Sequence, residues 1–194
     1  MYTESRSFNS IVQPSVDELL EDRFELKGKW SSDFHKNEKP LVLELGCGKG
    51  DYSLKLAQKY PEKNFLGVDV KGDRMLRGAR IAHENGIKNI GFLRTLIENI
   101  GYAFSTDEVD EIWITFPDPQ QKDRWERKRL TSPTFLNRYK KFLKKDGIIH
   151  LKTDSEFFYE YTLAVATELK QEIITSIKDV YAVMPENDAI LTQT

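Results

Sequence analysis

Residues 112–130 read Ile-Trp-Ile-Thr-Phe-Pro-Asp-Pro-Gln-Gln-Lys-Asp-Arg-Trp-Glu-Arg-Lys-Arg-Leu. An apolar run of the kind that forms a buried strand ends in two prolines that flank one carboxylate, Asp118. Pro119 restricts the residue before it to extended backbone, which helps to aim the acid. Five cations (Lys122, Arg124, Arg127, Lys128, Arg129) and two anions (Asp123, Glu126) follow, a local charge of +3 in a chain of formal net charge −2. Lys and Arg hold phosphate backbones, and affinity follows the number of phosphates neutralised. A basic patch on a slightly acidic chain therefore singles out a polyanion. Trp125, inside the run, is placed either to stack on a base or to pack beneath the loop. A fixed acid at a strand end with a cationic arm beside it suits chemistry on a nucleic acid. The bland alternative is a solvated charged loop with its Trp in the core, and the segment alone does not separate the two.

A second cluster of chemistry lies at Glu44-Leu45-Gly46-Cys47-Gly48-Lys49-Gly50, between a strand and a helix. Glycines here permit a tight turn and close approach of a ligand to the backbone, and the helix N-terminus adds unpaired N–H groups. The spacing is Gly-x-Gly-x-Gly. It is neither the dinucleotide fingerprint nor a P-loop. Asp69 ends the next strand 23 residues after Gly46, where an acid accepts hydrogen bonds from ribose hydroxyls; an exposed strand-end residue is the alternative. Glu44 puts a further carboxylate under the loop, which suits a ligand with an amine and a cationic sulfur better than one with phosphates. The set points to S-adenosylmethionine over NAD or ATP. Cys47 reads as a small residue in a crowded turn, since no nearby group would activate it as a nucleophile.

These residues need a scaffold that brings strand ends together. Strands are expected at residues 41–45, 64–70, 90–93, 111–116, 147–152 and 173–177. Helices are expected at 51–59, 73–84, 96–104, 132–143 (Ser132 as N-cap, Pro133 in its first turn) and 155–170. Strands alternating with helices imply an α/β fold, a mostly parallel sheet with helices on both faces. In such sheets ligands bind beyond the carboxyl ends of the strands, near the switch in strand order.

At 194 residues the size is that of one domain. Residues 1–40 read as an N-terminal extension, with an amphipathic stretch at 16–24, that docks on a main domain spanning 41–194. A hydrophobic content of 39% suffices for a core, and no apolar run approaches the roughly 20 residues of a membrane helix. A single cysteine excludes an internal disulfide and argues for a reducing, cytoplasmic setting. His35, His83 and His150 are scattered and make no metal site with it. No sequence feature sets the oligomeric state.

With the glycine loop, Asp69 and Phe116-Pro117-Asp118-Pro119 in hand, the chain resembles the bacterial tRNA (guanine-N7-)-methyltransferase family over residues 41–194. Asp118, Pro119, Lys122, Arg124, the trio Arg127, Lys128, Arg129, and Thr153-Asp154 match the family pattern. The resemblance implies a Rossmann-like class I S-adenosylmethionine-dependent methyltransferase fold, and transfer of a methyl group to N7 of a guanine in tRNA, in the variable-loop region. It implies cofactor contacts at Glu44, Gly46, Gly48, Asp69, Leu96 and Asp118. Substrate contacts fall at Lys122, Arg124, Trp125, Arg127, Lys128, Arg129, Asp154 and Thr192. Three departures stand out. Gln120 replaces the family's Trp and Trp125 its His. Leu96-Ile97 replaces its Asp-Ala, leaving backbone at Leu96 or the acid Glu98 for adenine. The sequence stops at Thr192-Gln193-Thr194, before the family's Tyr-Glu and closing strand.

Guanine N7 carries a lone pair and no proton, so it needs no general base. Asp118 is then the candidate catalytic residue, a fixed carboxylate beside the path along which positive charge moves to the purine. A turn acid without a catalytic part is its alternative. Asp154 reads as a second acceptor for the guanine edge or as a helix N-cap. Two rival functions use the same fold: a small-molecule methyltransferase whose basic arm is only surface, and a non-catalytic RNA-binding protein.

Overall fold

The computed structural model describes residues 24–183. Five strands form one sheet: β1 (Leu41–Leu45), β2 (Asn64–Asp69), β3 (Ile90–Arg94), β4 (Val109–Thr115) and β5 (Leu143–Lys152). Their order is β3-β2-β1-β4-β5, with every pairing parallel. The helices are α1 (Asp51–Lys59), α2 (Gly72–Glu84), α3 (Ile100–Ala103), α4 (Pro133–Tyr139), α5 (Glu156–Glu168) and α6 (Val180–Val183).

β1 is central and buried at all five positions, as a strand covered on both faces must be. Alternate residues serve opposite faces. Leu41, Leu43 and Leu45 join a core with Val68, Ile100, Phe104, Phe135 and Tyr139. Val42 faces the other core, where Leu54, Leu56, Met75, Ala79 and Phe92 bring in α1 and α2. The segment before β1 is tied to the first core. Trp30 is wholly buried and donates its indole N–H to Ala103 O at 2.8 Å. The Glu108 carboxylate accepts from the backbone N–H groups of Gly28, Trp30 and Ser105 at 2.8, 3.1 and 2.7 Å. The amphipathic stretch at 16–24 lies outside the described residues except for Phe24, which is buried.

Ser132 caps α4 and Ser155 caps α5, each side chain accepting from the N–H three residues on. Four elements depart from the sequence expectation. The single helix over 96–104 is a 3₁₀ turn at Ile97–Asn99 followed by the four-residue α3. Gly101 and the β-branched Ile97 and Ile100 propagate a helix poorly. The helix over 132–143 stops at Tyr139, because the chain turns to bury Phe142. β5 starts at Leu143 instead of Gly147; an irregularity in its pairing with β4 lies between Val109 and Glu111. No strand forms at 173–177. Among the described residues the sheet ends at β5, and Ile173 and Ile174 are 43% and 69% exposed. No strand among the described residues pairs with this apolar run, so it completes no ladder.

Candidate active site

Register decides which residues share a rim. Leu45 pairs with Val68 and Ile114, Asp69 with Arg94, and Thr115 with Lys152. The carboxyl ends of all five strands therefore lie together. The chain leaves β1 toward β2 and β3 but leaves β4 toward β5, so the strand order switches between β1 and β4. That is where a doubly wound sheet opens a crevice. The glycine loop follows β1 and Phe116-Pro117-Asp118 follows β4, so Asp118 and Asp69 emerge on the same rim.

Gly46, Gly48 and Gly50 all have positive φ, and no atom lies within 4 Å of where a Cβ would stand on Gly46 or Gly48. The loop thus turns bare backbone to open space, while Gly50 closes on Phe92, whose ring would collide with a Cβ there. Asp69 fixes the loop. Its Oδ2 accepts from Gly48 N at 2.9 Å and its Oδ1 from Lys71 N at 2.8 Å. Each oxygen keeps a second lone pair for a ligand hydroxyl. Leu96, half-buried, begins the turn after β3 in extended backbone.

Glu44, the carboxylate expected at the cofactor, is held by protein groups. It is 4% exposed, beneath the loop. Its Oε2 accepts from Ser53 N at 2.8 Å and from Ser53 Oγ, and its Oε1 accepts from Thr115 Oγ1 at 2.6 Å. Burial pushes its carboxyl up to about 7, against the opposing bonds from Ser53 and Thr115. The residue ties β1, α1 and β4 together at the switch point. Burial also raises the Cys47 thiol, with Glu44 and Asp69 adding to it, so the thiolate is suppressed.

The turn after β4 is unusual backbone. Phe116 and Gln120 have φ of 47° and 48°, positive for non-glycine residues. Phe116 N donates to Lys152 O at 2.8 Å, holding the exit of β4 to the end of β5. Between them Asp118 is exposed, and its Oδ1 accepts from Gln120 N at 3.0 Å. The carboxylate thus stabilises its own turn. Asp154 is exposed one residue before the helix cap; Ser155 takes the capping role, so Asp154 is not the N-cap. Lys152 Nζ lies 5.3 Å from the Tyr52 ring centre and 5.2 Å from that of Phe116.

The basic arm folds as a 3₁₀ segment at Asp123–Lys128. Lys122, Arg124, Arg127 and Lys128 are exposed. Trp125 is neither in the core nor free: Lys122 Nζ and Arg124 Cζ stand 4.7 and 5.2 Å from its ring. Arg129 departs from the expected arm, being only 4% exposed. Its Nε donates to Gln120 O at 3.1 Å and its Nη2 to Gln121 O at 3.3 Å. Its guanidinium lies 4.8 Å from Phe157 and 4.4 Å from Tyr161. Thr192 lies outside the described residues.

A family model described as "Putative methyltransferase" matches residues 38–193. A protein of Christiangramia forsetii named tRNA (guanine-N(7)-)-methyltransferase is 54% identical over 180 residues, 93% of this chain and 80% of that protein. The chain belongs to the tRNA (guanine-N7-)-methyltransferase family. A Bacteroides thetaiotaomicron protein of the same name is 52% identical over 160 residues, 81% of this chain, and the chain spans 62% of its length. The aminoglycoside resistance methyltransferase NpmB1 shares the fold, with a TM-score of 0.51 and 16% identity over 84% of this chain and 73% of that one.

Sequence reasoning missed the groups that hold the site in this family member. Thr115, Ser53 and the pair Phe157 and Tyr161 carry no motif of their own. Only Thr115, directly before Phe116-Pro117-Asp118-Pro119, had a position that pointed to it.

Proposed function

We propose that the chain transfers the methyl group of S-adenosylmethionine to N7 of a guanine in tRNA, in the variable-loop region. One observation carries the reading: the bare glycine loop, Asp69, Asp118 and Asp154 share the sheet's carboxyl rim, and four exposed cations stand in the segment that follows Asp118. The relatives' names agree with it.

The residues present fit the donor. The open space over Gly46 and Gly48 accepts a ligand against backbone, the remaining lone pairs of Asp69 suit ribose hydroxyls, and backbone at Leu96 suits the base. S-adenosylmethionine supplies an electrophilic methyl group on a cationic sulfur. The chain's own work is positioning, which accounts for much of the barrier when the nucleophile already has its lone pair. Asp118 presents a fixed negative charge to the purine as it becomes cationic, and Asp154 accepts from the guanine edge. Lys122, Arg124, Arg127 and Lys128 hold phosphates on either side of the target, and Trp125 offers a ring to a base drawn from its stack. A buried lone cysteine and an RNA substrate suit a cytoplasmic setting. Among the described residues no helix is long and apolar enough to cross a membrane.

The test is incubation with labelled methyl donor and unmodified tRNA, followed by mapping of the label. Label at guanine N7 is expected. Label on another atom, or on a small molecule only, overturns the proposal.

A further inference from the structure

The turn that carries Asp118 and the basic arm are two strips of one polypeptide, and past Phe116, whose N–H reaches Lys152 O, no strand pairing among the described residues holds them. Both sit beyond β4, where the ladder has ended. Yet one side chain crosses beneath them. Arg129 sends Nε to Gln120 O and Nη2 to Gln121 O, the two carbonyls that directly follow Pro119. Its guanidinium also meets the Phe157 and Tyr161 rings of α5. Tyr161 completes the circuit by donating its O–H to Glu126 Oε1 at 3.1 Å, inside the arm. Four points are thereby joined: the Asp118 turn, the start of the arm, its middle, and the first two turns of α5, the helix that Asp154 precedes.

We propose that Arg129 is a positioning residue, a clamp that sets the Asp118 turn and the cationic arm against α5 so that catalytic acid and RNA grip keep one relative placement. This rests on the methyltransferase reading for its consequence, but the clamp itself is a property of the fold. The chemistry needs arginine. A planar guanidinium donates in two directions in its own plane while its surface meets aromatic rings; a lysine ammonium has neither the fork nor the plane. Gln120, at a φ of 48°, depends on outside support to stay in that conformation. Its N–H is held by Asp118 and its C=O by Arg129, so the acid and the clamp grip opposite ends of one strained residue. At 4% exposure Arg129 is unavailable to phosphate, unlike the exposed Arg127 and Lys128 beside it.

Three variants test this: Arg129→Lys, which keeps the charge, Arg129→Gln, which removes it, and Phe157→Leu, at a 38% exposed ring that can be lost without unfolding the chain. Turnover at saturating tRNA should fall about 10-fold or more in both Arg129 variants alike, and a few-fold in Phe157→Leu. The salt slope of tRNA binding should stay at the wild-type value in Arg129→Gln, whereas loss of a phosphate contact lowers it by about one. Trypsin cleavage within residues 122–128 should accelerate in all three, and in wild type it should be slow. That last readout needs no activity. A wild-type protein that methylates no tRNA sinks the proposed function, while accelerated cleavage still supports the clamp. Wild-type cleavage and turnover in Phe157→Leu and Arg129→Lys, or a salt slope lowered by one in Arg129→Gln with turnover intact, overturns it.

Discussion

Thr115 Oγ1 donates to Glu44 Oε1 across 2.6 Å, joining the last residue of β4 to the buried carboxyl of β1 at the point where the strand order reverses. A crevice between two parallel strands is held at its floor by that bond. Thr115→Val keeps the shape of the side chain and removes the donor. Glu44 Oε1 then sits buried without its partner, at a cost of about 1–3 kcal/mol. Chemical denaturation should show that loss. Calorimetry should show weaker S-adenosylmethionine binding, because the helix that follows the glycine loop is tied to the same carboxyl through Ser53. Wild-type values in both measurements would make the bond incidental.

Glu44 also sets a pH dependence. Its carboxyl ordinarily titrates near 4.5 and burial raises it to about 7, so the folded chain holds this proton more tightly than the unfolded one. Stability from Glu44 is complete below pH 4.5 and declines as pH rises through 7, by up to about 3 kcal/mol in all. His35 acts in the opposite direction, since burial lowers its imidazole to about 4 and stability from it rises with pH over 4 to 6.5. The comparison must therefore be between variant and wild type, where His35 cancels. Glu44→Gln should lose stability relative to wild type at pH 5 and gain on it at pH 8. Parallel stability curves from pH 5 to 8 would show that Glu44 does not titrate in that window.

Asp118 holds its own turn and, under the proposed function, also presents a charge to the purine; a single substitution separates the two. One oxygen accepts from Gln120 N and holds the turn. The negative charge is what the developing purine cation would feel. Asp118→Asn keeps an oxygen for Gln120 and deletes the charge. Turnover should fall about 100- to 1,000-fold, as when an electrostatic stabiliser is removed, with donor affinity changed only a few-fold. Asp118→Ala loses the turn as well and should be worse. Near-normal turnover in Asp118→Asn would leave Asp118 only its turn.

What the sequence disclosed follows from the range of each interaction. β1, α1 and the caps Ser132 and Ser155 rest on local periodicity and short-range hydrogen bonds, and these are readable from consecutive residues. So is the rim, because parallel strands and alternating helices leave few topologies. The partners of Glu44 lie 9 and 71 residues away and those of Arg129 up to 32, and local pattern does not encode such distances. Arg129 shows the error this produces. In the linear segment it is the fifth cation of an arm; in three dimensions it lies under that arm and leaves four. The short strand expected at 173–177 failed for a related reason: its apolar residues satisfied the local pattern, but no strand among the described residues pairs with it.

Those four exposed cations give the most direct measurement of RNA contact. Arg127 and Lys128 are exposed at the end of the 3₁₀ segment. Replacing both with alanine removes two positive charges without touching Arg129, Trp125 or the Asp118 turn. If each neutralises one phosphate, the log–log salt slope of tRNA binding should drop by roughly 2, and affinity at low salt should fall while donor binding stays unchanged. Turnover should be restored by raising the tRNA concentration, since the double variant weakens grip and leaves the acid in place. An unchanged slope would mean that this arm is solvated surface and that tRNA is held by another part of the chain.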